Sequence, residues 1–147
     1  MKIFYTVTVL LIGFLLAIQG SINTQLTTFL KHPIQGGLVN FMVGFICLLI
    51  LNIIFRTQIP DWEHVRTAPW YLFAGGMLGA IFVSSVIFFI PKIGVSTVLA
   101  ASIAGQLIAA SIIDHFGFFG LAVHPISAGR IAGILLLLGG IFLIQKY

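Results

Sequence analysis

Five apolar stretches, each long enough to cross a bilayer, occupy almost the whole chain. A helix rises 1.5 Å per residue, so about 20 apolar residues traverse a hydrocarbon core of about 30 Å. No water reaches the backbone there, and a helix satisfies its amides and carbonyls from within. The stretches lie at about residues 3–28, 34–55, 69–90, 95–113 and 127–144. They predict an all-α integral membrane protein of five transmembrane helices, forming one domain over residues 1–147. The lipid bilayer is then its solvent.

Composition removes most other classes. The chain is 60% hydrophobic and 7% charged, with a mean hydropathy of +1.19, more apolar surface than a soluble fold of this length hides. Seven basic and three acidic residues give a formal charge of +4, and they sit at span ends, where charges reach headgroups and water. No Lys/Arg cluster suggests a nucleic-acid partner. Cys47, the single cysteine, lies inside an apolar run and reads as a small packing residue. Residues 3–18 behind Lys2 have the make-up of a signal peptide, yet the polar residues beyond Gly20 fit a retained membrane helix better. The loops are too short for a catalytic domain outside the membrane.

Orientation is normally set by an excess of Lys and Arg in short cytoplasmic loops. Here Lys2, Arg56, Arg66 and Arg130 fall on one side and Lys31, Lys92 and Lys146 on the other. Four against three barely decides the matter. An odd number of spans with so weak a bias suggests a working form that contains an inverted copy or an inverted partner, an architecture that belongs to transport.

Small and polar residues within the spans locate the candidate sites. In lipid, apolar contact between helices gains little, so close approach at small residues and interhelical hydrogen bonds must compensate. Gly75/Gly79, Gly105 with its neighbouring alanines, and Gly129/Gly133 provide four-residue small-residue spacing on three consecutive spans. Helix packing is their first reading, and close approach along a substrate path the second.

Gln19, Asn23 and Thr27 share one helical face, and Gln106 lies mid-span with Ser102 a turn before it. A primary amide in lipid costs several kcal/mol unless its partners are supplied, so these face the bundle interior or a wet cavity. Interhelical bonding and lining of a substrate path both fit, and both can hold together. Trp70, near Pro69 at a span start, belongs at the interface or the cavity mouth.

No Asp or Glu lies in the middle of a span. Exporters of cationic drugs driven by protons usually need such an embedded carboxylate, so a neutral or anionic solute is favoured. Asp114 stands at a span end beside His115. It is either a helix-end residue paired with Arg130 or part of a gating or coupling set with His115 and Arg130. His32, His64, His115 and His124 have no metal-ligand spacing. Neither a metal, a cofactor nor an embedded nucleophile–base pair is indicated, so an enzyme is not the reading.

Together the residues resemble a known family. Gln19-Gly20, Asn23, Pro33, Phe41-x-x-Gly44, Pro69-Trp70, Gly75-Gly76, Pro91-x-x-Gly94, Gly105-Gln106, Asp114-His115-Phe116-Gly117 and Arg130-x-x-Gly133 run in order. They are similar to the YdcZ-type inner-membrane proteins of the drug/metabolite transporter superfamily. The resemblance implies a bacterial inner-membrane location and half of a ten-helix inverted-repeat transporter. A five-helix chain of this kind would pair antiparallel with its own copy, or with an inverted paralogue, to carry a small-molecule substrate. A non-transporting scaffold or accessory subunit is the competing reading.

Overall fold

The computed structural model describes residues 2–57 and 61–147. Five helical segments are long and apolar enough to cross a membrane: Ile3–Leu30, Pro33–Ile54, Trp70–Ile93, Val95–Phe116 and Ala128–Lys146. In chain order the helices are α1 (Lys2–Leu30), α2 (Pro33–Ile54), α3 (Trp62–Thr67), α4 (Ala74–Ile93), α5 (Val95–Phe116) and α6 (Ala128–Lys146). No strand occurs among the described residues. The protein is thus an all-α membrane protein with five spans.

Each break has a local cause. Lys31 closes α1 with φ of 61°. Pro33 then opens α2 at a position where its missing N–H costs nothing, and His32 caps it, its Nδ1 accepting from the Ile34 amide at 3.3 Å. The polar segment after α2 holds α3, capped by the Asp61 carboxylate, which accepts from the Glu63 amide at 3.2 Å. A 3-10 turn, Trp70–Phe73, leads into α4.

Two ends differ from the sequence expectation. The third stretch, expected to end at about residue 90, runs on: Pro91 stays inside α4 and the break comes at Gly94, with φ of 83°. Near a helix end a proline forfeits one bond, whereas a positive φ redirects the chain. Likewise α5 runs past residue 113 to Phe116, so Asp114 and His115 belong to its last turn rather than to a loop. Gly117, with φ of 64°, stops it, and its amide bonds the Ile113 carbonyl in a left-handed cap.

Contacts divide the chain into two compact units, Met1–Ile90 and Pro91–Tyr147. In the first, α1, α2 and α4 approach at small residues. An added Cβ on Gly20 would lie 3.1 Å from Ile90 Cδ1, and one on Gly37 would lie 2.8 Å from Ser84 Oγ. Val86, Ile87 and Ile90 of α4 are buried there, Ile87 to 1% exposure. The second unit is a hairpin of α5 and α6 in which Val98, Ala104 and Ser111 of α5 are buried. Most other large apolar side chains in both units are exposed, as expected of faces that meet lipid or another chain.

Gly36 is the tightest approach. A Cβ there would sit 2.5 Å from Thr27 Cγ2, and the Thr27 rotamer is held by its hydroxyl bond to the Thr24 carbonyl at 2.7 Å. Gly36→Ala is expected to cost about 1–3 kcal/mol by overpacking. Gly13→Ala, where a Cβ meets nothing within 4 Å, gains up to about 1 kcal/mol from helix propensity. Unfolding midpoints in detergent should move in opposite directions for the two variants.

Candidate functional site

The polar side chains gather at two places, one in each unit. In the first unit, a recess of about 510 Å³ runs between Gln19 of α1, Val83 of α4 and the α2 residues Asn40 and Gly44. Gln19 is exposed and Asn40 half-buried, so both amides remain reachable. Asn23, a turn further along the Gln19 face, is 6% exposed. Asn23 and Thr27 lie against α2 at Gly36, where absent side chains bring the backbones together. The predicted face of α1 thus exists, and it divides into a reachable amide, Gln19, and a buried one, Asn23.

In the second unit the last turn of α5, the following loop and the first turn of α6 are tied together. The Ser127 hydroxyl caps α6 by accepting from the Arg130 amide at 3.3 Å. That start aims the Arg130 side chain back across the hairpin. Arg130 Nη1 donates to Asp114 Oδ2 at 3.2 Å and to the His124 carbonyl at 3.3 Å. The His124 amide donates to the Asp114 carbonyl at 2.8 Å, and the Ile126 amide donates to His115 Nδ1 at 3.2 Å. Asp114, His115 and Arg130, picked from sequence as one set, therefore meet at one end of the hairpin. The ion pair opens onto a recess of about 270 Å³ with Ser111, Leu107 and Gly133 in its wall.

Apart from Gly133, the other candidates line neither recess. Gln106 is exposed near the middle of α5, while the Ser102 hydroxyl returns to the Val98 carbonyl at 2.7 Å. Trp70 is 82% exposed and packs edge-on against Tyr71. A Cβ added at Gly75, Gly105 or Gly133 meets nothing within 4 Å, one at Gly79 meets the Phe41 ring at 3.6 Å, and one at Gly129 meets Ser127 Oγ at 3.9 Å. Gly36 and Gly37, which make close approaches, escape a search for four-residue spacing because they are adjacent. The useful signal was their position in the first turn after Pro33, where Gly36 meets Asn23 and Thr27 of α1 and Gly37 meets Ser84 of α4. Among the described residues no three His, Cys, Asp or Glu side chains form a metal-binding group.

Comparison with known proteins agrees with this architecture. A family model described as "Putative inner membrane exporter, YdcZ" matches residues 4–143. The chain is 27% identical over 135 residues to "Inner membrane protein YdcZ" of Escherichia coli (strain K12), covering 91% of this chain and 89% of that one. No solved structure matches significantly.

The cap at Gly117 holds the loop that carries the His124 carbonyl. A Cβ there would lie 2.7 Å from Val123 Cγ2 and 3.2 Å from the Leu121 carbonyl oxygen, at a φ of 64°. Gly117→Ala is expected to lose about 1–2 kcal/mol from the left-handed backbone alone. A lowered unfolding midpoint in detergent, with a smaller loss for Gly120→Ala, where a Cβ meets nothing within 4 Å, is the expected pattern.

Proposed function

We propose, from the premise that this chain belongs to the YdcZ inner-membrane family of the drug/metabolite transporter superfamily, that two inverted copies form one secondary transporter. Membership already assigns a multi-pass inner-membrane protein with a role in transport. The finer reading is that an antiparallel homodimer carries a small organic solute by alternating access. Five spans supply half of an inverted-repeat architecture, and a second copy in the opposite orientation supplies the other half.

The observation that carries this reading is Gln106. Its amide is exposed near the middle of an apolar helix, and no side-chain bond ties it to another described residue. An amide left in hydrocarbon is costly, so a partner surface or a wet path must cover it. The near balance of Lys and Arg at the span ends supports insertion in both orientations. In this reading Gln106 of the second unit meets the solute path, and the recess beside Gln19 in the first unit remains open to solute. No step of it requires a cofactor or a chemical reaction.

Two measurements test it. Single cysteines placed near each terminus in a Cys47→Ser background are labelled from outside intact cells. Reaction of a fraction of the molecules at each terminus is the expected result. Reaction at only one terminus removes the homodimer and turns the search to an inverted paralogue or to a scaffold role. Gln106→Ala should reduce solute flux in reconstituted vesicles at least tenfold with dimer assembly retained. Loss of assembly instead makes Gln106 an interhelical tie.

A further inference from the structure

We propose that the recess among α1, α2 and α4 binds a neutral, planar solute whose edge carries an N–H beside a carbonyl, as a lactam, an imide or a carboxamide does. The inference rests on the transport reading for the use of the site and adds a solute class to it.

The recess lies at mid-span. Its α2 wall runs from Asn40 past Gly44 to Leu48, on either side of the middle of a helix that spans Pro33–Ile54. At 1.5 Å per residue, Asn40 stands about 10 Å inside the start of α2 and Gln19 about 16 Å before the end of α1. Two primary amides thus enter one apolar recess from different helices. Among the described residues, neither Gln19 nor Asn40 makes a side-chain hydrogen bond. Asn23, one turn along α1 from Gln19, is only 6% exposed and is equally unbonded. No fully enclosed side-chain nitrogen or oxygen among the described residues lacks a partner, so the Asn23 amide still reaches open space. An amide has two donors and an acceptor to place, and hydrocarbon offers partners to none of them.

The lining decides the class of the occupant. None of the residues around the recess is ionisable, so a charged solute would lie in a low-dielectric site without a counter-ion. A purely apolar solute would leave both amides unpaired, at the cost that any buried polar group carries. A carboxamide offers a donor and an acceptor side by side, and its complement offers the same pair reversed.

Flatness follows from the walls. Phe41 and Phe45 stand one turn apart on α2, and such rings pack on planar groups by offset or edge-on contact. The Phe41 ring is seated against α4 at Gly79, 3.6 Å from where a Cβ would stand. Gly44 supplies space, since an added Cβ there meets nothing within 4 Å. The cavity of about 510 Å³ falls within the roughly 300–1,000 Å³ usual for small-molecule sites. It has room for one or two fused rings.

The test uses the full chain purified in detergent, with the bicyclic lactam oxindole as the probe. N-methyloxindole, which lacks the donor, and the charged compounds benzoate and benzylamine are the controls. Binding is measured by calorimetry against empty micelles. Oxindole should bind, and each control should bind at least about fivefold more weakly, the loss expected when a buried amide is left without its partner. Gln19→Leu and Asn40→Leu should each weaken oxindole binding by about five- to a hundredfold. Gln25→Leu changes an exposed α1 amide outside the recess and should leave binding unchanged. Gly44→Leu should abolish binding while the unfolding midpoint holds or rises, because the new side chain enters open space and helix propensity improves. If an amide variant fails to fold, Gly44→Leu and the methylated probe decide the matter. Absence of oxindole binding, equal binding of any control, or binding that survives Gly44→Leu overturns the proposal. A change in dimer assembly in place of a change in oxindole affinity gives the recess to a second copy and overturns it too. Flux into liposomes is read separately: oxindole binding without flux keeps the site and removes transport, whereas oxindole flux that Gly44→Leu leaves intact keeps transport and removes the site.

Discussion

Hydrocarbon offers no hydrogen-bond partner to a peptide group, and the rest of this structure follows from that. Every residue that crosses the bilayer must be helical, so the chain can do anything else only where a helix stops. Its stops are correspondingly sharp. Lys31, Arg56, Gly94, Gly117, Phe119 and Gly120 take positive φ, and the caps from His32 and Ser127 stand at the matching starts. Lys31 and Arg56 adopt a conformation that disfavours side chains, at about 1–2 kcal/mol each. Both lie at span ends, where a long basic side chain reaches headgroups and water.

The same constraint sorts the polar side chains within the spans. A serine or threonine in a helix can return its hydroxyl to a carbonyl one turn back. Thr8, Ser21, Thr24, Ser85, Ser102 and Ser111 all do so, at 2.7–3.0 Å. These hydroxyls are satisfied within their own helix and do not tie helices together. Primary amides have two donors and an acceptor to place, more than one turn of helix supplies. Asn52, which bonds the Leu48 carbonyl and the Thr57 hydroxyl at the end of α2, is settled locally. Gln19 and Gln106 are exposed, and their partners must come from beyond their own helix. That is why the amides, rather than the more numerous hydroxyls, are the polar groups left to be met by water, solute or another chain.

How far the sequence could be read depends on which signal each feature carried. Five spans were legible because each is an apolar run whose length alone sets its fate in a bilayer. The end of α5 was not, because Asp114 and His115 look like loop residues, and only the left-handed cap at Gly117 shows that the helix continues beneath them. The helix α3 was hidden in a polar segment whose Asp61 cap has no hydrophobic pattern behind it. In the candidate sites, pairing of Asp114 with Arg130 was available from charge and position. The tether to the His124 carbonyl was not, since it depends on the path of a loop containing Phe119 at φ of 60°. Small-residue spacing pointed to Gly75, Gly105 and Gly133, whereas neighbouring helices press closest at Gly20, Gly36 and Gly37. Spacing reports where a helix can be approached, and only the partner decides where it is.

An ion pair at one end of a five-span chain has a further consequence if two copies are inverted. Asp114 and Arg130 lie at one end of the α5–α6 hairpin, so inversion would put one copy of their recess at each face. The two recesses are chemically identical and differ only in the pH and solute concentration they meet. Neither face is built for uptake or release. Direction would then follow from the gradients across the membrane, because a symmetric assembly has no structural distinction between inside and outside.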